Sequence, residues 1–128
     1  TAYDFVVDAV DTVAAKIELA VRCERLGVPL IAAMGAGNKL DPSKLQIADI
    51  YKTSVCPLAR AMRTTLRKKG VKRLTVAYST EEPIPYPEDG PVIEAENGRH
   101  PPASMAFVPS AMGLLIASHV VRQLAFGA

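Results

Sequence analysis

The sequence predicts an α/β fold in which helices cover both faces of one sheet. Two observations predict it: the chain opens with a strand, helix, strand pattern, and strand-like and helical apolar segments alternate again further along. At 128 residues with 49% hydrophobic content, the chain is long enough for one compact core and short for two. We therefore expect residues 1–128 to form a single domain or most of one.

The opening unit combines a buried strand with an amphipathic helix. Residues 5–7 form a short apolar run without alternation, which is typical of a strand covered on both faces. The next residues have helical spacing, which places an apolar stripe on one side of the predicted helix and polar residues such as Lys16 beside or opposite that stripe. The stripe consists of Val13, Ile17, Ala20 and Val21. Gly27 should end this helix, and residues 28–34 should form a second strand parallel to the first.

The middle of the chain predicts two more strands around a helix. Residues 45–51 have strand character, and Pro57 suits the first turn of a helix that ends at Gly70, with Cys56 at or beside its N-cap. Residues 73–79 alternate apolar and polar side chains, which predicts a half-buried strand.

The final third begins with a loop. Residues 81–102 hold six of the ten prolines, so we expect a long proline-rich loop there. Residues 105–108 predict a last short strand, and Ser110 is expected to cap a final helix. The core-facing residues of that helix are expected to be Leu114, Leu115, Val121 and Leu124.

Several classes of protein are disfavoured by composition. Cys23 and Cys56 form no C-x-x-C pair, which argues against a zinc site or a disulfide framework and favours a reducing cytoplasm. The apolar run 111–117 is shorter than the ~20 residues that span a bilayer. No basic and then apolar leader opens the chain. We expect a cytoplasmic protein without a transmembrane segment.

Two carboxylates, Asp8 and Asp11, follow the first predicted strand. Ligands of open α/β sheets collect at the carboxyl ends of strands, so both are candidates for holding a metal or a phosphate group. An aspartate before a helix is also a good N-cap, and this remains an alternative for Asp11. Gly35 and Gly37 follow the second strand at the same end, as turn glycines or as points of close approach to a ligand.

Basic residues are concentrated in one segment. Eight of the 15 Lys and Arg residues lie between residues 50 and 80, where no acidic residue occurs. Arg60, Arg63 and Arg67 share one helix face and could contact nucleic-acid phosphates; a solvated helix face is the alternative. Cys56 is a possible reactive thiol because a helix N-terminus favours the thiolate, although a structural corner fits the same position.

Four segments give the chain a family resemblance. They are the Asp8-Ala9-Val10-Asp11 corner, residues 34–42 (Met-Gly-Ala-Gly-Asn-Lys-Leu-Asp-Pro), residues 48–60 and Glu81-Glu82-Pro83. With these, the chain resembles the ThiF/MoeB/HesA group of ubiquitin-activating-enzyme-like adenylating proteins. The resemblance implies a three-layer, Rossmann-like mixed sheet that is the C-terminal part of a ThiF-type adenylating domain. The family's N-terminal glycine-rich loop has no match here, so this segment alone is expected to be inactive.

The resemblance also implies an activity. Members most like this chain use ATP and Mg²⁺ to adenylate and cyclise threonylcarbamoyladenosine in tRNA. By resemblance Asp11 is the catalytic carboxylate that holds metal and nucleotide. Asp8, Gly35 and Gly37 remain candidates for contact with the cofactor by their position, although Asp8 could instead be buried beside the backbone. The implied partners are tRNA, a second copy of the chain and a cysteine desulfurase or other sulfur-transfer protein. The alternative is a non-catalytic module for dimerisation or partner docking.

Overall fold

The computed structural model describes residues 3–82 and 106–127, which form a four-stranded sheet with helices on both faces. The elements in chain order are β1 (Val6–Asp8), α1 (Val13–Leu26), β2 (Leu30–Ala33), β3 (Leu45–Asp49), α2 (Pro57–Lys68), β4 (Thr75–Ser79) and α3 (Phe107–Phe126). Single turns of 3-10 helix, Pro42–Lys44 and Ile50–Lys52, flank β3. The α/β fold class with a mixed sheet is confirmed.

Three of the four strands run in the same direction, so their carboxyl ends lie at the same end of the sheet. The strands lie in the order β1-β2-β4-β3, with β1, β2 and β4 parallel and β3 antiparallel to β4. The carboxyl ends of the three parallel strands, at Asp8, Ala33 and Ser79, therefore lie along one end of the sheet, which we call the carboxyl rim. Strand β3 begins at this rim, because Leu45 is opposite Ser79.

Alternate residues of the central strands face two separate cores. Ala32 and Val76 pack with buried residues of α1 and α2, whereas Ile31 and Ala77 pack with Met112 and other residues of α3. Successive strand side chains point to opposite faces, so β2 and β4 contribute to both cores. The result is three layers: α1 and α2, the sheet, and α3.

Local sequence signals for the first two helices are confirmed. Gly27 follows α1 with φ 68°, the left-handed conformation that glycine adopts at little cost. Cys56 is the N-cap of α2 and Pro57 is its first residue. Proline is tolerated there because the first N–H groups of a helix have no partner within the helix.

The prediction of a half-buried β4 is wrong. Residues 76–79 are buried on both faces, because β4 lies between β2 and β3 with helices above and below it. Alternation of Thr75 with apolar residues indicated a solvated face, but Ala77 is small enough to pack under α3.

The predictions for the end of the chain need correction. The described part of the segment predicted as a last strand belongs to α3, whose N-cap is Ala106 rather than Ser110. A short apolar run does not distinguish a strand from the first turn of a buried helix. Exposed fractions of 74%, 62% and 58% place Leu114, Val121 and Leu124 outside the core. The residues of α3 that are buried are Val108, Met112 and Ile116.

Helix α3 is long and apolar enough to cross a membrane by length and composition, with 17% of its most apolar window buried. Its buried residues pack on the sheet, as those of a helix in a soluble protein do, so length and composition alone do not establish a membrane span. Nearly all of the predicted proline-rich loop, from residue 83 onward, lies outside the described residues.

Candidate functional site at the carboxyl rim

Asp11 lies at the carboxyl rim in the connection between β1 and α1, and its side chain is exposed. The N-cap of α1 is Thr12, so Asp11 does not occupy the capping position considered from the sequence. Within residues 3–82 and 106–127, Asp11 makes no hydrogen bond or ion pair. Its carboxylate is therefore available to a ligand at the rim.

Asp8 differs sharply from Asp11. It is 1% exposed, and its Oδ1 accepts hydrogen bonds from the Val10 backbone N–H at 3.0 Å and from Lys16 Nζ at 3.2 Å. Lys16 is 3% exposed and also donates to the Ala33 carbonyl at 2.7 Å. The predicted position of Lys16, beside or opposite the apolar stripe, did not indicate this burial; the aspartate at the end of β1 draws the Lys16 ammonium inward.

The loop after β2 is tied to the segment after β4. Glu81 accepts backbone hydrogen bonds from Leu40 at 2.9 Å and from Asp41 at 2.8 Å. Lys39 is 3% exposed, and its ammonium donates to the Ser79 carbonyl at 3.4 Å. Carboxylate and ammonium contacts therefore fix this loop against the carboxyl rim.

The two glycines of that loop lie between Met34 and Asn38. Gly35 is exposed, and a Cβ added there would meet nothing within 4 Å, so the space beside it is open. The left-handed residue of the turn is Asn38, with φ 59°, rather than a glycine. The open side of Gly35 is compatible with the predicted approach of a ligand.

The three arginines of α2 have different environments. Arg63 donates to Thr53 Oγ1 at 2.5 Å and to the Ile50 carbonyl at 3.3 Å, so it anchors the turn after β3. The guanidinium of Arg67 lies 5.2 Å from the ring centroid of Tyr51, a cation–π contact. Arg60 is exposed, and its side chain makes no hydrogen bond or ion pair with the described part of the chain. Of the three, Arg60 is the most accessible to an anion.

A cavity of about 610 Å³ lies at the N-terminus of α2. It is lined by residues that include Cys56, Arg60, Arg63 and Glu82. Cys56 is 5% exposed and belongs to the core beneath α1 and α2, which is the environment of a structural cysteine. Glu82 follows β4, so the cavity adjoins the carboxyl rim.

Sequence reasoning missed three buried or paired groups at the rim: Lys16, Lys39 and Glu81. A signal existed for Lys16, which stands four residues before Ala20 and seven before Cys23, on the buried face of α1. No periodicity marks Lys39 or Glu81, because both lie in loops. Their partners, the Ser79 carbonyl and the Asp41 N–H, are about 40 residues away in the sequence and come close only in the folded chain.

An open and mostly parallel sheet covered by helices on both faces defines the Rossmann-like class of α/β proteins. No family model matches the chain. Individual relatives do: the chain is 44% identical to the tRNA threonylcarbamoyladenosine dehydratase of Bacillus subtilis, over 94% of this chain and 50% of that protein. It is 30% identical to that of Escherichia coli, over 95% and 52%.

Solved structures agree with the sequence matches. The structure described as TcdA (CsdL) aligns with a TM-score of 0.79 and 29% identity, over 97% of this chain and 49% of that one. The E. coli enzyme in complex with ATP aligns with a TM-score of 0.78 and 27% identity, over 98% and 49%. The resemblance seen in the sequence is confirmed: the chain is similar to tRNA threonylcarbamoyladenosine dehydratases and spans about half the length of the proteins it matches.

Proposed function

We propose that this chain forms part of an ATP-dependent enzyme that adenylates and cyclises threonylcarbamoyladenosine in tRNA. The observation that carries the proposal is the exposed Asp11 carboxylate at the carboxyl rim of a sheet whose fold matches an ATP-bound dehydratase. In open α/β sheets this rim is where nucleotides lie.

The chemistry explains why ATP is required. A carboxylate resists nucleophilic attack because its leaving group would be oxide. When the substrate carboxylate attacks the α-phosphorus of ATP, pyrophosphate leaves and the carboxyl group gains AMP as a leaving group. A nucleophile of the same threonylcarbamoyl side chain then closes the ring and displaces AMP, so the nucleoside loses the elements of one water. Alignment and charge neutralisation supply most of the rate for such a reaction.

The residues at the rim fit Mg²⁺ bound together with a nucleotide. The described residues contain no cluster of three or more His, Cys, Asp or Glu side chains that would enclose a metal. Mg²⁺ is usually held by one or two carboxylates and by substrate phosphates, so a single exposed aspartate is an appropriate ligand. When bound, the ion would neutralise phosphate charge, while Asp11 would hold it at the rim.

Arg60 is our candidate for contact with tRNA. It is exposed at the mouth of the cavity beside α2, within a segment that carries eight basic residues and no acidic one. Lys and Arg bind nucleic-acid phosphates without regard to sequence. Arg63 and Arg67 would contribute mainly by shaping this surface, because both already contact the protein. The tRNA substrate would be met in the cytoplasm, where the free cysteines remain reduced.

A direct test incubates the natural full-length protein with ATP, Mg²⁺ and tRNA that carries threonylcarbamoyladenosine. Mass spectrometry of the released nucleosides should show the loss of one water, with AMP and pyrophosphate formed in equal amounts. A parallel reaction without ATP is the control. Unchanged nucleoside mass in the complete reaction would refute the proposed activity.

A second candidate function is homodimerisation without catalysis, which the outer face of α3 favours. Phe107, Leu114 and Val121 follow one another at seven-residue intervals and are 61%, 74% and 62% exposed. A seven-residue apolar repeat is the pattern of a helix that packs against another helix, and a second copy of α3 would match it.

Sedimentation of the full-length protein tests this candidate. The wild type should be a dimer, and Leu114→Glu should make it monomeric, whereas Ser54→Glu, at an exposed position outside α3, serves as a control for added charge. A monomeric wild type would exclude homodimerisation. A dimeric wild type without ATP-dependent activity would favour the non-catalytic dimer over the proposed enzyme.

A further inference from the structure

The buried ammonium of Lys16 has no role in the proposed reaction. Lys16 Nζ contacts Asp8 Oδ1 at 3.2 Å and the Ala33 carbonyl at 2.7 Å, so it joins the last residue of β1 to the last residue of β2. Both side chains of the ion pair are almost fully inaccessible, at 3% and 0%. Lys16 thus connects three elements at the carboxyl rim: β1, β2 and its own helix α1.

Asp11 lies in the connection between β1 and α1, and hydrogen bonds fix this connection at both of its ends. At its start, the Val10 N–H donates to Asp8 Oδ1 at 3.0 Å. At its end, the backbone N–H of Lys16 donates to the Thr12 carbonyl at 3.1 Å. The Lys16 side chain therefore restrains the start of the connection through Asp8, while the first hydrogen bond of α1 fixes its end. Asp11 lies between the two restraints.

The ion pair is not arranged for stability alone. Asp8 Oδ2 is buried and has no hydrogen-bond partner within the described residues, although a buried polar atom without a partner costs free energy. A buried ion pair is also often no more stabilising than apolar residues of the same size. A fixed geometry at the rim would account for this arrangement.

We propose that Lys16 is a positioning residue, which orients the Asp11 carboxylate toward Mg²⁺ and nucleotide by locking the ends of β1 and β2 together. This inference rests on the proposed function. Supporting groups around a metal ligand typically change metal affinity about 10-fold to 100-fold when they are removed, and the effect of Lys16 should lie in this range.

The test uses the full-length protein with the double substitution Asp8→Asn and Lys16→Met. It removes both charges, so no buried charge is left unpaired, and Asn keeps an acceptor for the Val10 N–H. The matched control is Glu18→Gln with Arg22→Met, which removes the exposed ion pair of the same helix. Mn²⁺ serves as the paramagnetic substitute for Mg²⁺. Three quantities are measured: Mn²⁺ affinity in the presence of ATP, ATP affinity in EDTA, and amide hydrogen exchange of residues 9–12.

The Asp8/Lys16 variant should bind Mn²⁺ about 10-fold more weakly in the presence of ATP and exchange the amides of residues 9–12 faster. Its affinity for ATP in EDTA should be unchanged, because Asp11 acts on the nucleotide through the metal. The control should match the wild type in all three quantities. An equal loss of affinity with and without metal would indicate general disruption and overturn the positioning role.

Two further outcomes separate the inference from the proposed function. If the wild type binds Mn²⁺ with ATP and the Asp8/Lys16 variant binds it equally well, the positioning role of Lys16 is wrong and the proposed function stands. If the wild type binds no Mn²⁺ in the presence of ATP, the proposed function fails, and the inference fails with it.

Discussion

Removal of the Lys16 ammonium alone should destabilise the fold severely. The substitution Lys16→Met keeps the aliphatic stem but leaves the Asp8 carboxylate buried, with Val10 N–H as its remaining donor among the described residues. At the observed 3.2 Å, two unit charges attract by about 5 kcal/mol at an effective dielectric constant of about 20. Loss of one partner of a buried pair typically costs about 3–5 kcal/mol, so we expect a decrease of this size in the free energy of unfolding.

Urea unfolding of the full-length protein measures this decrease by linear extrapolation. The double substitution Asp8→Asn with Lys16→Met should recover most of the loss, because no buried charge remains; the residual cost is the unpaired Ala33 carbonyl, about 1–3 kcal/mol. Arg22→Met removes an exposed ion-pair partner on the same helix and should cause no measurable change. A Lys16→Met protein as stable as Arg22→Met would show that the buried pair does not exist in solution.

Three other substitutions test separate features. Val55 has φ 64°, a conformation that costs a β-branched residue about 1–2 kcal/mol. Val55→Gly should therefore raise the urea midpoint of unfolding, although glycine also makes the unfolded chain more flexible. A lower midpoint would contradict the strain at Val55. Met62 is fully buried between α2 and the sheet, and Met62→Ala should cost about 2–5 kcal/mol; a cost below about 1 kcal/mol would contradict its packing. Burial raises the pKa of Tyr51 above its usual 10.0, so the stability it contributes is present below pH 10.0 and decreases as pH rises through the folded-state pKa. Tyr51→Phe should therefore lose less stability than the wild type on alkaline titration, and equal losses would contradict the assigned burial.

The sequence was sufficient to predict the first half of the fold. Strand, helix and strand up to Ala33 follow from two short apolar runs, one helical periodicity and Gly27, and each signal is local. The same is true of Cys56 and Pro57 at the start of α2. Asp11 could be placed at the carboxyl rim because the parallel pairing of β1 and β2 follows from the helical crossover between them.

The errors occurred where position in the fold decides burial. Helix α3 is apolar on most of its circumference, so its sequence does not reveal which stripe faces the sheet, and Leu114 was assigned to the wrong side. The full burial of β4 follows from its place inside the sheet, which no property of residues 73–79 reveals. The inward orientation of Lys16 depends on Asp8, a residue of another element, so only the folded chain brings the two together.

The central claim is that Asp11 holds the metal and nucleotide at the carboxyl rim. The most direct measurement compares Asp11→Asn with Asp4→Asn in the full-length protein, with the rate of ATP-dependent water loss from threonylcarbamoyladenosine in tRNA as the readout. Asp4 is an exposed aspartate that precedes β1, at the opposite end of the strand. Asp11→Asn should slow the reaction about 100-fold or more, while Asp4→Asn leaves it unchanged. Equal rates for Asp11→Asn and the wild type would contradict the assignment of Asp11.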